Sequence, residues 1–280
     1  MKNIIIKDNE YLNNLIKKFN SKNFHIVADF DKTLTKATVD GQKSHTTIAQ
    51  IREGNYLSES YMKEAHNLFD IYHPFEINND IAREEKCKKM YEWWTKHLEL
   101  MIKCGMHKEI IEDIINKRKI VLREKTKEFF SLLGKNNIPI LIISAGLGDL
   151  IKRCLESEGI SNGNLHIISN FYKFGNGEKV IGYKSKIIHS LNKNEVQVKG
   201  TAYENEIKKR KNVILLGDSL EDIDMTSGLE HENIIKIGFL NENVDKNIEK
   251  YSKTFDVLIL NDGTMGYVNN LLNLIIKERL

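Results

Sequence analysis

The chain has 280 residues, 41% of them hydrophobic, with 42 basic against 39 acidic side chains and a formal net charge of +3. That is enough apolar material for one sizeable core plus a smaller accessory domain, and the near balance of charge excludes a nucleic-acid binder that works through a concentrated basic face. The three cysteines, Cys87, Cys104 and Cys154, are widely spaced and form no CxxC pair, which argues against a disulfide framework or zinc site and predicts a reducing, cytoplasmic setting.

At the N-terminus the apolar run Ile4–Ile6 ends in charge after three residues, far too short for a signal peptide, and no later stretch has the roughly 18 to 20 apolar residues of a membrane span. The first strand is predicted at Phe24–Asp29. Further apolar, β-branched runs follow at Ile138–Ser144, Leu165–Asn170, Val213–Gly217, Ile234–Gly238 and Val257–Leu260. Several are apolar throughout, as parallel strands covered on both faces must be. Helical patterns lie between the later runs, at Glu124–Leu133 and Asp149–Glu158. This alternation predicts an α/β fold with a doubly wound parallel sheet.

Between the first two strands the rhythm breaks. From about Ser44 to Lys119 the sequence is charged and helix-periodic, with Met90, Trp93, Trp94 and Leu98 recurring at three and four, and it carries no strand signal. A βα unit needs only about 30 residues, so the excess predicts an inserted α-helical cap domain over 44–119, with the core formed by 1–43 and 120–280. Pro74 is expected to separate two cap helices.

Three strand ends carry the chemistry. The first strand runs into Asp29-Phe30-Asp31-Lys32-Thr33, two carboxylates two residues apart where α/β proteins place their ligands. Asp29 attacking phosphorus would divide one difficult displacement into two, and Asp31 could protonate the leaving oxygen and later deprotonate water. Read alone, the pair is equally a strand end closed by polar turn residues. Ser144-Ala145-Gly146 ends the second strand before a helix expected near Leu147, offering a hydroxyl and free backbone N–H groups to a phosphate. Gly217-Asp218-Ser219-Leu220-Glu221-Asp222 ends another strand, and carboxylates there facing Asp29 would give Mg²⁺ hard oxygen ligands, although Asp222 could simply cap the next helix. Gly217–Leu220 also spells G-D-S-L, a serine-esterase tag, but the last histidine, His231, follows too soon to complete such a site.

In this order the three motifs resemble the haloacid-dehalogenase (HAD) phosphatase superfamily. Phrases along most of the chain further resemble the cytosolic type III (pyrimidine) 5′-nucleotidases, some of whose members favour 7-methylguanosine monophosphate: ADFDKTLT at Ala28–Thr35, EEK at Glu84–Lys86, EWWTK at Glu92–Lys96, IPILIISAGLGD at Ile138–Asp149, IHSLNK at Ile188–Lys193 and ILLGDSLED at Ile214–Asp222. The resemblance implies Asp29 as nucleophile and Mg²⁺ ligand, and Asp31 as acid/base with its backbone carbonyl on the metal. It implies Ser144 and Ala145 as phosphate contacts, Lys193 rather than Lys184 as the phosphoryl lysine, and Asp218 and Asp222 as the remaining metal residues. Glu76 matches a cap acid that contacts the base. His97 stands where the family commonly has Ser, and Trp94 where pyrimidine-preferring members have Tyr, so an indole there could stack on the cationic base of 7-methylguanosine. The implied protein is a monomeric cytoplasmic nucleoside 5′-monophosphate phosphatase using Mg²⁺, with no nucleic-acid or membrane partner. A HAD phosphatase for phosphoserine or a sugar phosphate is the competing enzyme. A phospho-acceptor receiver module has no counterpart of Asp31 and no long helical insertion.

Overall fold

The strand that ends in the two carboxylates lies at the middle of the sheet. In chain order, β1 (Ile4–Ile6) and α1 (Asn9–Ile16) precede β2 (Phe24–Ala28), and a small hairpin, β3 (Thr38–Val39) with β4 (Gln42–Lys43), follows it. Four helices come next: α2 (Thr47–Glu53), α3 (Glu59–Ile77), α4 (Arg83–Lys103) and α5 (Lys108–Asn116). The chain then returns through α6 (Thr126–Lys135), β5 (Ile140–Leu147), α7 (Gly148–Ser157), β6 (Leu165–Asn170) and the hairpin β7 (Tyr172–Phe174) with β8 (Val180–Tyr183). It closes with α8 (Ala202–Ile207), β9 (Asn212–Gly217), β10 (Asn233–Leu240), α9 (Val244–Thr254), β11 (Val257–Leu260) and α10 (Gly266–Lys277). The structure, a computed structural model, describes residues 3–277 except 79, 162 and 185, so the outermost ends of the expected core domain lie outside the described residues.

The seven-stranded sheet has the order β1-β11-β10-β9-β2-β5-β6, parallel except for β1, which pairs antiparallel with β11 at the edge. Every residue of β2 is buried, because both faces are covered. Ile26, Ala28, Ile140, Ile142, Ile214 and Leu216 face a layer containing Leu12, Phe129, Phe130, Ile151 and Leu271. Val27, Leu141, Ile143, Val213 and Leu215 face Tyr203, Ile207 and Met225 on the other side. Each fully buried Ile or Leu contributes roughly 1.5–3 kcal/mol. The connections wind to β5 and β6 on one side of β2, then cross to β9, β10 and β11 on the other. The C-terminal end of β2 is therefore the topological switch point, where open α/β sheets bind ligands.

The insertion is helical, as its periodicity predicts. Thr46 and Ser58 cap α2 and α3, accepting from the Ala49 and Tyr61 amides. Met90, Trp93, His97, Leu100 and Met101 form the buried stripe of α4. Pro74 corrects an expectation, since it lies inside α3 rather than between helices. Its ring removes the bond to the Asp70 carbonyl, but both residues are exposed, so that oxygen is open to solvent rather than stranded in the core. The helix continues for three more residues to the Asn78 cap, whose amide donates to the Pro74 carbonyl. The strand after α6 also runs to Leu147, and α7 begins only at Gly148. No helix among the described residues is long and apolar enough to cross a membrane.

Candidate active site

Beyond β2 the Asp29 amide still donates to the Leu216 carbonyl at 3.0 Å, carrying the ladder one step past the strand. The backbone then turns through Lys32, whose φ of 60° lies in the left-handed region. This loop rests on Arg123, which is 1% exposed. Its guanidinium donates to the carbonyls of Thr33 (2.9 Å), Lys32 (2.5 Å) and Gly263 (2.7 Å) and pairs with Asp262 at 2.8 Å. A buried cation thus shapes the turn that presents the two carboxylates. Nothing in the motif reading signalled this arginine.

Asp29 and Asp31 face different partners. Asp29 Oδ1 accepts from Lys193 Nζ at 2.6 Å. Asp31 is turned toward the cap, where its two oxygens accept from the Thr47 amide and Thr47 Oγ1, each at 2.9 Å. Thr47 is the first residue of α2 and was not anticipated. The same hydroxyl accepts from the Leu147 amide at 3.2 Å. Gly146 makes this approach possible, since a Cβ there would fall 1.9 Å from Thr47 Oγ1. Ser144 Oγ accepts from the Gly146 amide at 3.0 Å, which pins the Ser-Ala-Gly turn beside Asp31.

Lys193 also donates to Asp222 Oδ1 at 2.9 Å, whereas Lys184 lies over the Phe171 ring. Asp222 Oδ2 accepts from the Asp218 and Ser219 amides at 3.0 Å, so it caps its turn and joins the cluster at once. A Cβ at position 217 would stand 2.5 Å from the Asp222 Cβ, which explains the glycine there. Carboxylate oxygens of Asp29, Asp218 and Asp222 converge within 4.8 Å of one another, while Asp31 joins Thr47 instead.

Burial dominates the electrostatics. It pushes the Asp29 carboxyl up to about 7 against the opposing charge of Lys193, with Asp222 and Asp31 adding repulsion. Asp218 is raised well above the usual carboxylate range by burial and then by Asp29 and Asp222. Burial lifts Asp31 to about 6, opposed by its two bonds from Thr47. Lys193 loses solvation, but Asp222 and Asp29 outweigh that loss and hold it charged. The oxygens of Asp29, Asp218 and Asp222 form a buried, all-oxygen donor set beside the Lys193 ammonium. That set fits a hard divalent cation.

A cleft of about 690 Å³ opens beside this cluster, lined by Glu76, Arg83, Ser190, Lys193 and Asp222. Glu76 Oε1 accepts from Ser190 Oγ at 2.7 Å, and Arg83 reaches Asp224 at 2.6 Å, so both cross from the helical insertion to the rest of the chain. Trp94 donates from Nε1 to the Ala145 carbonyl at 2.8 Å, placing its indole against the Ser-Ala-Gly turn. Trp93 is buried and stacks on Tyr72. His97 is not brought to the cleft. It is 3% exposed, lies 3.0 Å from the Tyr61 hydroxyl, and burial lowers its pKa to about 4. Asn170, also unanticipated, holds the turn from below, donating to the Ala145 and Ile188 carbonyls at 2.8 and 2.9 Å.

Residues 32–276 match the family described as pyrimidine 5′-nucleotidase (UMPH-1). The chain belongs to that family. Its relatives include the 7-methylguanosine phosphate-specific 5′-nucleotidase A of Xenopus laevis, 34% identical over 261 residues, which are 93% of this chain and 90% of that protein. The Drosophila melanogaster 7-methylguanosine phosphate-specific 5′-nucleotidase is 37% identical over 256 residues, covering 90% of this chain and 80% of its own length. A crystal structure of cytosolic 5′-nucleotidase IIIB bound to cytidine superposes with a TM-score of 0.86 at 32% identity, over 98% of this chain and 94% of that one. A substrate-bound phosphoserine phosphatase, at 16% identity and a TM-score of 0.50, shares the fold alone, over 89% of this chain and 97% of its own. This UMPH-1 family member is thus a 5′-nucleotidase hydrolase of the HAD fold, in a family whose members are typically metal-dependent.

Proposed function

We propose that the enzyme hydrolyses nucleoside 5′-monophosphates of the pyrimidine or 7-methylguanosine type to nucleoside and phosphate through a phospho-Asp29 intermediate. The observation that carries this reading is Lys193 bridging Asp29 and Asp222 at the mouth of a cleft roofed by the helical insertion. We take 44–119 as the cap that reads the nucleoside and 1–43 with 120–280 as the catalytic core. The free thiols of Cys87, Cys104 and Cys154 suit an enzyme working in the reducing cytoplasm.

Asp29 attacks the phosphorus while Asp31 gives its proton to the departing 5′ oxygen, so the P–O bond to the nucleoside breaks as the P–O bond to Asp29 forms. Asp31, now ionised, takes a proton from water as that water attacks phospho-Asp29, which restores both carboxyls. Its position near 6 keeps both protonation states within reach at neutral pH, and acid–base help of this kind is typically worth about 10²–10⁴ in rate. Ser144 and the Ala145 backbone hold the phosphate, and Lys193 neutralises its oxygens. Mg²⁺, when bound by Asp29, Asp218 and Asp222 with the Asp31 carbonyl, supplies further positive charge against those oxygens. Glu76 and Trp94 face the nucleoside, and His97 shapes the cap behind them.

The test is phosphate release with Mg²⁺ from cytidine, uridine, adenosine and 7-methylguanosine 5′-monophosphates, beside phosphoserine and glucose 6-phosphate. A nucleotide preference in kcat/KM is expected. Equal turnover of all six would leave a HAD phosphatase whose substrate is another small ester.

A further inference from the structure

Two residues beyond Lys193, Glu195 is fully buried with each carboxylate oxygen against an imidazole. Oε1 lies 2.9 Å from His25 Nε2, and Oε2 lies 2.5 Å from His231 Nε2. The three residues come from separate parts of the chain. His25 is on β2, four residues before Asp29; Glu195 opens a short 3-10 turn, Glu195–Val198; His231 precedes β10.

The proton count makes this more than packing. His25 Nδ1 is 3.2 Å from the Arg210 carbonyl, which can only accept, so Nδ1 carries a hydrogen. Nε2 then faces a carboxylate oxygen, and a proton shared between the two makes the contact a hydrogen bond. Burial would push the Glu195 carboxyl up, but hydrogen bonds from His231 and His25 outweigh it and hold the group below its usual range. The contact is therefore a hydrogen bond to a buried carboxylate, roughly twice as strong as a neutral one. Ligands about 2.1 Å from a tetrahedral zinc lie about 3.4 Å apart, so separations of 2.9 and 2.5 Å are those of hydrogen bonds.

What this bond holds is the segment that carries the lysine. Between β8 and α8 the only regular element among the described residues is the turn that Glu195 begins, so no ladder positions Lys193. Upstream, Asn170 fixes Ile188 by accepting from its amide and donating to its carbonyl, each at 2.9 Å. Downstream, the next side-chain anchor into the sheet is Glu195. We propose that Glu195, clamped between His25 and His231, is a positioning residue for Lys193, tying the lysine's segment to the strand that carries Asp29. A flexible four-carbon stem reaches both Asp29 and Asp222 only if its backbone stands in one place.

The proposal rests on the phosphoryl role given to Lys193 above, and a double-mutant cycle separates the two. Glu195→Gln is made in the full chain with Lys193 intact and in a Lys193→Met background. Turnover of cytidine 5′-monophosphate with Mg²⁺ and product inhibition by inorganic phosphate are measured for each. With Lys193 present, Glu195→Gln should lower kcat/KM at least tenfold and weaken phosphate inhibition. In the Lys193→Met background the same change should alter either value less than twofold. Equal losses in both backgrounds, or no loss with the lysine intact, would overturn the clamp. Full activity of Lys193→Met alone would instead remove the lysine from the reaction and the proposal with it. If Glu195→Gln does not fold, His25→Gln carries the same cycle, because it alters the His25–Glu195 contact on β2 and leaves the Glu195–His231 contact in place.

Discussion

His97 makes the cap sensitive to acid, and the size of the effect follows from its burial. The imidazole is 3% exposed and its Nε2 meets the Tyr61 hydroxyl at 3.0 Å. Burial first, and the nearby Arg52 charge second, lower its pKa from 6.5 to about 4. Because the folded value lies below the unfolded one, the unfolded chain takes up the proton first as pH falls. The stability from a neutral His97 is complete above about pH 6.5, declines through the window down to about pH 4, and is then lost. A difference of about 2.5 units corresponds to about 3 kcal/mol. His97→Gln keeps a polar group within reach of Tyr61 but cannot titrate. Urea unfolding of both proteins, followed by tryptophan fluorescence, is the assay; the chain's two tryptophans, Trp93 and Trp94, sit on the same helix as His97. The active-site carboxylates titrate in both proteins and cancel in the difference. Wild-type stability relative to His97→Gln should fall by about 3 kcal/mol between pH 7 and pH 4. A difference that stays constant across that range would refute the buried neutral histidine.

The remaining predictions concern the chemistry. Asp29→Asn should abolish turnover with the circular dichroism spectrum unchanged, and retained activity would remove Asp29 as nucleophile. Asp31→Asn should slow both formation and breakdown of the phospho-enzyme, by about 10²–10⁴; a normal burst and steady-state rate would argue against its acid/base role. Trp94→Ala should lower kcat/KM for 7-methylguanosine monophosphate more than for cytidine monophosphate, by a cation–π contribution of about 0.5–2 kcal/mol. Equal losses for the two nucleotides would point to the bond from Trp94 to Ala145 as the indole's whole contribution.

Legibility in the sequence followed the range of the interactions. The apolar runs that became β2, β5, β6, β9, β10 and β11 declare themselves because a strand buried on both faces leaves little room for polar residues. Asp29, Ser144 and Asp218 were readable because each follows such a run directly, and local order sets where a strand ends. Thr47 and Arg123 were not, since their partners Asp31 and Lys32 lie across the cap–core junction or far along the chain. His97 was partly legible. The resemblance set it among the base-contact positions, whereas its spacing, four residues after Trp93 and four before Met101, puts it on the stripe that α4 buries. Pro74 was misread because its cost depends on whether water reaches the carbonyl one turn back, which the sequence does not state.

The helical insertion meets the sheet domain at Asp31, the proposed acid/base, and that junction can be tested. Thr47 gives Asp31 two hydrogen bonds, and both favour the ionised carboxylate. Thr47→Val keeps the amide bond and the shape but deletes the hydroxyl. A hydrogen bond to a charged group is worth about 1.5–3 kcal/mol, so its loss should raise the Asp31 pKa by about one to two units. In the proposed mechanism the first step needs Asp31 protonated, so its deprotonation should shape the alkaline limb of kcat/KM. Raising its pKa should move that limb to higher pH, while the maximum rate falls because the carboxyl is less firmly aimed. The acidic limb, which depends on ionised Asp29, should move less. An alkaline limb that does not shift would mean that the hydroxyl only packs against Leu147, with the acid/base oriented by the core alone. A shift would instead make α2 part of the catalytic machinery, so that seating the cap and readying Asp31 are one event.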